Sequence, residues 1–214
     1  MSEDGAIIYA EERLPVYLDD AASGKPAPGG GSVSACVGAL GAALTSMVCN
    51  LTIGKEQFAS VEPRMKEVLA ASEAARARLQ QLLQEDTTAY SGVLAAYRLP
   101  KDTPGENEAR HKAVQDGLIV AADVPLAICR VALEVCRLAK VAAELGNANA
   151  VTDAGIGALL GEAGAVGAAL NVRINLGSIE DQEYVTRTSA EIDEILTEAA
   201  ALRADVLATT LAKI

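Results

Sequence analysis

Pro26-Ala27-Pro28-Gly29-Gly30-Gly31-Ser32 opens a stretch that closes on Asn50-Leu51-Thr52-Ile53-Gly54 without one charged residue between. Three consecutive glycines admit backbone conformations closed to other residues and let a ligand approach the main chain. A helix beginning at Ser32 would aim unpaired amide groups at whatever lies there. About twenty apolar residues suffice to cross a bilayer, so a membrane span is the first reading to test. The stretch is built of Ala, Gly, Ser, Cys and Thr, with few Leu, Ile or Phe and no aromatic anchors at its ends. That composition predicts a helix buried among other helices, not in lipid. Ser34, Gly38 and Ala42, spaced four apart, would let a neighbouring backbone come close along one face.

Working outward, every segment carries helical signals. Leu14–Ala22 reads as a short helix, Ser32 to about Ile53 as the buried one, and Pro63–Leu99 as a long one that Pro100 ends. Pro104 opens a further helix toward Leu145, bent at Pro125 and closed by Gly146-Asn147. Thr152–Leu176 is a Gly/Ala-rich helix, and Asp181–Leu211 is amphipathic. No run shows the two-residue alternation of a strand. The fold class expected is all-α, an up-and-down bundle of five or six helices in one domain spanning 1–214.

Composition narrows the function. The chain has 214 residues, 50% of them hydrophobic, and a formal net charge of -11. An acidic chain with no basic stripe excludes a nucleic-acid partner. The start, Ser2-Glu3-Asp4-Gly5, lacks the order of a signal peptide, so an unprocessed cytoplasmic protein is expected. Cys36, Cys49, Cys129 and Cys136 lie in apolar helical sequence and form no CxxC pair, so they are expected as core packing without disulfides. With His111 as the one histidine, no zinc site and no Cys-His or Ser-His-Asp mechanism is expected.

The long helix holds a second clue. Steps of three and four link Val68, Ser72, Ala75, Leu79, Leu82, Asp86, Ala89, Val93 and Tyr97, which places a carboxylate on an otherwise small or apolar seam. Asp86 should face inward, where an unpaired carboxylate must find donors, neutralise or meet a wet cavity. It is either a catalytic group or a structural Asp bonded to a partner helix. Asp86-Thr87-Thr88 is a poor choice for a helix centre on propensity alone. Glu85 falls off the seam and should be solvated.

Pro28-Gly29-Gly30-Gly31-Ser32, Ser46-Met47-Val48, Leu51-Thr52-Ile53-Gly54-Lys55, Asp86 with Ala89-Tyr90, Arg98-Leu99-Pro100-Lys101, Val124-Pro125-Leu126, Gly146-Asn147 with Asp153, and Asn171-Val172-Arg173-Ile174-Asn175-Leu176 follow one another along nearly the whole chain. This ordered set resembles the cyclodeaminase/cyclohydrolase family of folate enzymes. The resemblance implies an all-helical homodimer acting on one-carbon tetrahydrofolates, with no cofactor beyond the folate substrate itself, which can carry a polyglutamate tail. Some such enzymes deaminate 5-formimino-tetrahydrofolate and others interconvert its methenyl and 10-formyl forms. In animals the domain follows a formiminotransferase domain, for which this chain has no counterpart. Val124–Val131 and the single-domain length look more like the cyclohydrolase members. The alternatives are a cyclodeaminase releasing ammonia, or a non-catalytic helical interaction protein whose Gly/Ala faces serve only packing.

The resemblance assigns the catalytic Asp to Asp86. Beside the bridging carbon a carboxylate can stabilise the methenyl cation, orient water and accept its proton. Lys55 is a second catalytic candidate or else a surface lysine. Gly29, Gly30, Gly31 and Ser32 are expected around the substrate, with Ser32 alternatively only a cap. Asn171 and Asn175 lie one turn apart, near Gly164, Gly167 and Ala168, whose small side chains would leave room for a flat ring. They either read a pterin edge or bond neighbouring helices. Asn147 and Asp153 are binding candidates, with Asp153 alternatively an N-cap. Lys55, Arg173 and, more weakly, Lys101 are cations expected near the folate carboxylates.

Overall fold

The computed structural model describes residues 7–214; the acidic start at Ser2–Gly5 lies outside the described residues. Six α-helices follow in order: α1 (Leu14–Ala21), α2 (Gly30–Asn50), α3 (Glu62–Tyr97), α4 (Pro104–Leu145), α5 (Val151–Leu176) and α6 (Gln182–Lys213). No strand occurs among the described residues.

Local chemistry sets the ends. Thr103 and Glu106 form a reciprocal capping box ahead of Pro104, satisfying two amides that would otherwise be orphaned. The Asp181 side chain accepts from Tyr184 N at 3.0 Å to start α6. Gly54 takes φ 79 just after α2, where side chains other than glycine are strained. Helix α4 runs through Pro125 without a break. Helix α2 starts at Gly30, two residues earlier than expected, so Ser32 is inside its first turn and is not its cap.

Short connections make successive long helices antiparallel. Ser72 Oγ donates to Ala42 O, Gly117 packs on Val93, and the Cys129 and Cys136 thiols donate to Ala165 O and Ala158 O. The last helix runs parallel to α4. Arg130 with Glu191, Arg137 with Glu198 and Lys140 with Asp205 form a ladder of ion pairs along that contact. Leu79, Leu82, Ile128 and Ile192 anchor one fully buried apolar cluster, and Val48, Met65, Val68, Val151 and Val206 another. Each such side chain contributes roughly 1.5–3 kcal/mol by leaving water.

Glycine brings α2 and α5 together. A Cβ at Gly41 would lie 2.8 Å from Gly157 O, and one at Gly164 3.0 Å from Ser34 O. The room expected beside Gly164 and Gly167 for a flat ring is therefore filled by α2: a Cβ at Gly167 would meet Ser34 Oγ at 2.4 Å. Both helices are long and apolar enough to cross a membrane by length and composition, and each is about half buried against its neighbours. Their outward sides carry apolar seams at a coiled-coil spacing. On α2, Val33, Leu40, Met47 and Leu51 are exposed, with Val37 and Leu44 half-buried between them; on α5, Ile156, Leu159, Ala163, Val166, Leu170 and Ile174 are exposed.

Candidate active site

At one end of the bundle the start of α2, the last third of α3, Ala121 of α4 and the end of α5 enclose a cleft of about 420 Å³. Pro26, Ala27, Gly29 and Gly30 form one edge, Asp86, Tyr90 and Val93 a wall, and Asn171, Ile174, Asn175 and Ser178 the side opposite. That volume lies within the range of sites for small organic ligands.

Asp86 sits at the head of the cleft because the α3 seam turns it inward between Leu82 and Val93, both buried. Its Oδ2 accepts a hydrogen bond from Ser32 N at 2.9 Å, and Oδ1 takes none among the described residues. The carboxylate thus serves the first turn of α2 as a cap supplied by another helix, where the helix dipole favours negative charge. Burial raises its pKa above the ordinary carboxylate value, and the Ser32 amide pulls the other way. Thr87 and Thr88, awkward mid-helix, both donate to Gln84 O. Glu85 is exposed and pairs with Arg78.

None of the three glycines has a positive φ, so the expected conformational reason for them gives way to a steric one. A Cβ at Gly31 would stand 2.2 Å from Asp86 Oδ1, and one at Gly30 3.0 Å from Asn171 Nδ2. Behind them Ser32 is fully buried and shares a 3.0 Å hydrogen bond with the Tyr17 hydroxyl of α1. Burial pushes the Tyr17 phenol up to about 12. Tyr9 braces it, ring edge to face at 5.5 Å.

Asn171 Nδ2 donates to Gly167 O, while Asn175 Nδ2 bridges to Ala121 O at 2.8 Å and Asn171 O at 2.9 Å. Both amides are thus held by backbone, and neither Oδ1 has a partner among the described residues. Two acceptors are left fixed beside the cleft.

The other candidates lie elsewhere. Lys55 follows the far end of α2, which at 1.5 Å per residue is roughly 31 Å long, so it cannot meet Asp86 of its own chain. Asn147 is at that same far end, its N donating to Thr52 Oγ1, its Nδ2 to Leu51 O and its Oδ1 accepting from Asn149 N. It is a corner joint. Asp153 is the third residue of α5, whose N-cap is Ala150, and it too is at the far end. Arg173 points off the cleft and pairs with Asp193 at 2.7 Å. Two residues from Asn171 is about 200° around a helix, which already places it on another face. Tyr90, 46% exposed, was not among the expected site residues, though its position one turn from Asp86 puts it on the same helix face.

No group of three or more His, Cys, Asp or Glu among the described residues is placed to hold a metal. The cleft offers one carboxylate, two amide oxygens, an aromatic wall and a backbone edge, suited to a flat ligand with donor groups and positive charge.

Comparison with known proteins gives a consistent picture. Residues 13–194 match the profile of the formiminotransferase-cyclodeaminase family. The chain is 44% identical over 203 residues to the methenyltetrahydrofolate cyclohydrolase of Methylorubrum extorquens, covering 95% of this chain and 98% of that one. It is 36% identical over 200 residues to the formimidoyltransferase-cyclodeaminase of Rattus norvegicus, spanning 94% of this chain and 37% of the rat protein. The crystal structure of formiminotetrahydrofolate cyclodeaminase from Thermotoga maritima superimposes with a TM-score of 0.86 at 31% identity, covering 95% of this chain and 98% of that one.

Proposed function

The chain belongs to the formiminotransferase-cyclodeaminase family, and from that premise we propose that it hydrolyses 5,10-methenyltetrahydrofolate to 10-formyltetrahydrofolate, reversibly, in one-carbon folate metabolism. It is an enzyme, a methenyltetrahydrofolate cyclohydrolase. The observation that carries the chemistry is Asp86, which lines the cleft with one oxygen held by the α2 amide and the other without a hydrogen bond among the described residues.

The methenyl bridge is a delocalised amidinium cation, and an ionised Asp86 beside it offsets that charge in a partly desolvated site. Oδ1 orients a water and takes its proton as the oxygen adds to the bridging carbon. The same proton then goes to N5 as the carbon–N5 bond breaks, and the freed carboxylate takes the second water proton from the hydroxyl and releases it to solvent, leaving the formyl group on N10. Asn171 and Asn175 supply acceptors for the amino and ring N–H donors of the pterin, and Tyr90 a face for the aminobenzoyl ring. Lys55, Asn147, Asp153 and Arg173 have no part in this scheme within one chain.

A second reading is the cyclodeaminase reaction, favoured by the likeness to the Thermotoga protein. The same Asp would shuttle the proton while N10 closes the ring and ammonia leaves. We favour hydrolysis because the full-length relative named for it is 44% identical, against 31% for the Thermotoga cyclodeaminase. We further propose that the protein acts in the cytoplasm as a homodimer joined through the α2/α5 seams, an uncharged face of a kind that marks interaction sites.

Loss of the methenyl chromophore on mixing with the purified chain tests the reaction. Rapid loss without ammonia from formimino-tetrahydrofolate is expected; ammonia release at a comparable rate would replace the first reading with the second.

A further inference from the structure

Folates end in glutamate carboxylates, yet no Lys or Arg lines the cleft. Its one charge is Asp86, which suits the cationic bridge and repels the tail. Of the cations near the cleft lining in sequence, Lys25 is paired with Asp20, Arg173 with Asp193, and Arg110 is held by the Tyr97 carbonyl and ring, while Arg98, shortly after Val93, makes no ion pair among the described residues. Lys55 is exposed and makes no ion pair among the described residues. It follows Leu51, the last residue of the α2 seam, by four positions.

Ile174, 75% exposed, belongs both to the α5 seam and to the cleft wall. Anything seated on the seams therefore reaches the mouth of the cleft. The seam face measures roughly 30 by 20 Å, a footprint of about 600 Å² and of the order of the ~800 Å² per partner in stable complexes. When two copies meet face to face, their two-fold axis lies in the plane of contact. An axis running across the helices sets α2 against α2 head to tail. The end of one α2 then lies beside the start of the other, where Gly29 and Gly30 edge the cleft. An axis running along the helices would leave the cleft without a cation and Lys55 beside the partner's far end.

We infer that the two copies pack with the axis across the helices, and that Lys55 of the partner subunit binds the glutamate carboxylates of the folate at the mouth of each cleft. This rests on the folate and homodimer readings above. It makes each site a product of two chains, and it explains how a lysine some 31 Å from Asp86 along its own helix can serve the same substrate.

The test is Lys55→Gln, assayed with mono- and triglutamyl methenyl-tetrahydrofolate. The expected result is a KM about tenfold higher, the loss of one charge-assisted hydrogen bond, with kcat within twofold of wild type. Subunits of Lys55→Gln and Asp86→Asn are then mixed and exchanged in equal amounts. A site shared between chains returns a component with wild-type KM and about a quarter of the wild-type Vmax. A site made within one chain returns only the raised KM, which overturns the inference. So does an unchanged KM in Lys55→Gln, or a rise produced instead by Arg98→Gln with Lys101→Gln. A fully active monomer would sink the dimer reading, and wild-type failure to consume the chromophore would sink the folate reading, each separately from the Lys55 result.

Discussion

Asp86 and Gly31 stand so close that no side chain fits between them: a Cβ at position 31 would lie 2.6 Å from the Asp86 Cγ. Alanine at 31 must push the carboxylate aside and lengthen the Ser32 N to Oδ2 bond. Misplacing a catalytic group by about 1 Å costs on the order of 100-fold in rate. Gly31→Ala should lower kcat by about that factor with the helical signal intact. Gly24→Ala, in open space, should leave it unchanged.

Asp86→Asn should lower kcat by about 100- to 10,000-fold, the worth of a general base. In the wild type the acid limb of kcat/KM, which reports the free enzyme, should lie above the ordinary Asp range, because burial raises this pKa and the base acts ionised. Stability follows with a definite sign. A raised folded-state pKa means a favourable contribution complete below the unfolded Asp pKa and lost as pH rises through the folded one. Asparagine still accepts from Ser32 N without a buried charge. Asp86→Asn should therefore melt higher than wild type at pH 7, with the gap closing in acid; a lower melting temperature at pH 7 would contradict the assignment.

Asn175 and Asn147 should separate cleanly. Asn175→Ala removes the bridge to Ala121 O and an acceptor beside the cleft, so KM should rise about tenfold, with about 1–2 kcal/mol of stability lost. Asn147→Ala breaks the far-end joint to Leu51 O. It should cost about 1–3 kcal/mol in urea unfolding and leave KM unchanged. A KM effect at Asn147 would return it to the binding site.

Val166 lies midway along the α5 seam, 42% exposed and away from the cleft lining. Val166→Glu puts a charge in the centre of the proposed contact. Light scattering should give a dimeric mass for wild type and a monomeric mass for the variant; identical masses would exclude the seam as the interface.

The helices could be read from the chain because their signals are local: Pro104 after Thr103, Asp181 three before Tyr184, and the three-four spacing from Val68 to Leu82. That same spacing turns Asp86 inward on the α3 seam, while Tyr97 at its end is 47% exposed, met only on its ring face by Arg110 of α4. The candidates that lie away from the cleft of their own chain do so for separate reasons. Gly29 lies at the start of one continuous uncharged stretch and Lys55 directly follows its end, but a helix of 21 residues carries those ends to opposite ends of the bundle. Asn171 and Asn175 could be paired by their one-turn spacing, and the same rule already separated Arg173 from them. Tyr17 behind Ser32 had no signal, since a contact between residues of two helices leaves no trace in local pattern.

The α4/α6 ion pairs have a use that their modest individual strength conceals. Exposed pairs hold a structure together weakly, each on the order of 1 kcal/mol or less. Yet Arg130 and Arg137 meet Glu191 and Glu198 at the same sequence offset of 61, and Lys140 reaches one turn further to Asp205 at 65, so sliding the final helix by one turn would part all three pairs. They act as a key for alignment more than as glue. Ser178 lies in the short connection that leads into that helix and lines the cleft, so seating the last segment also sets the height of the rim above the reacting carboxylate.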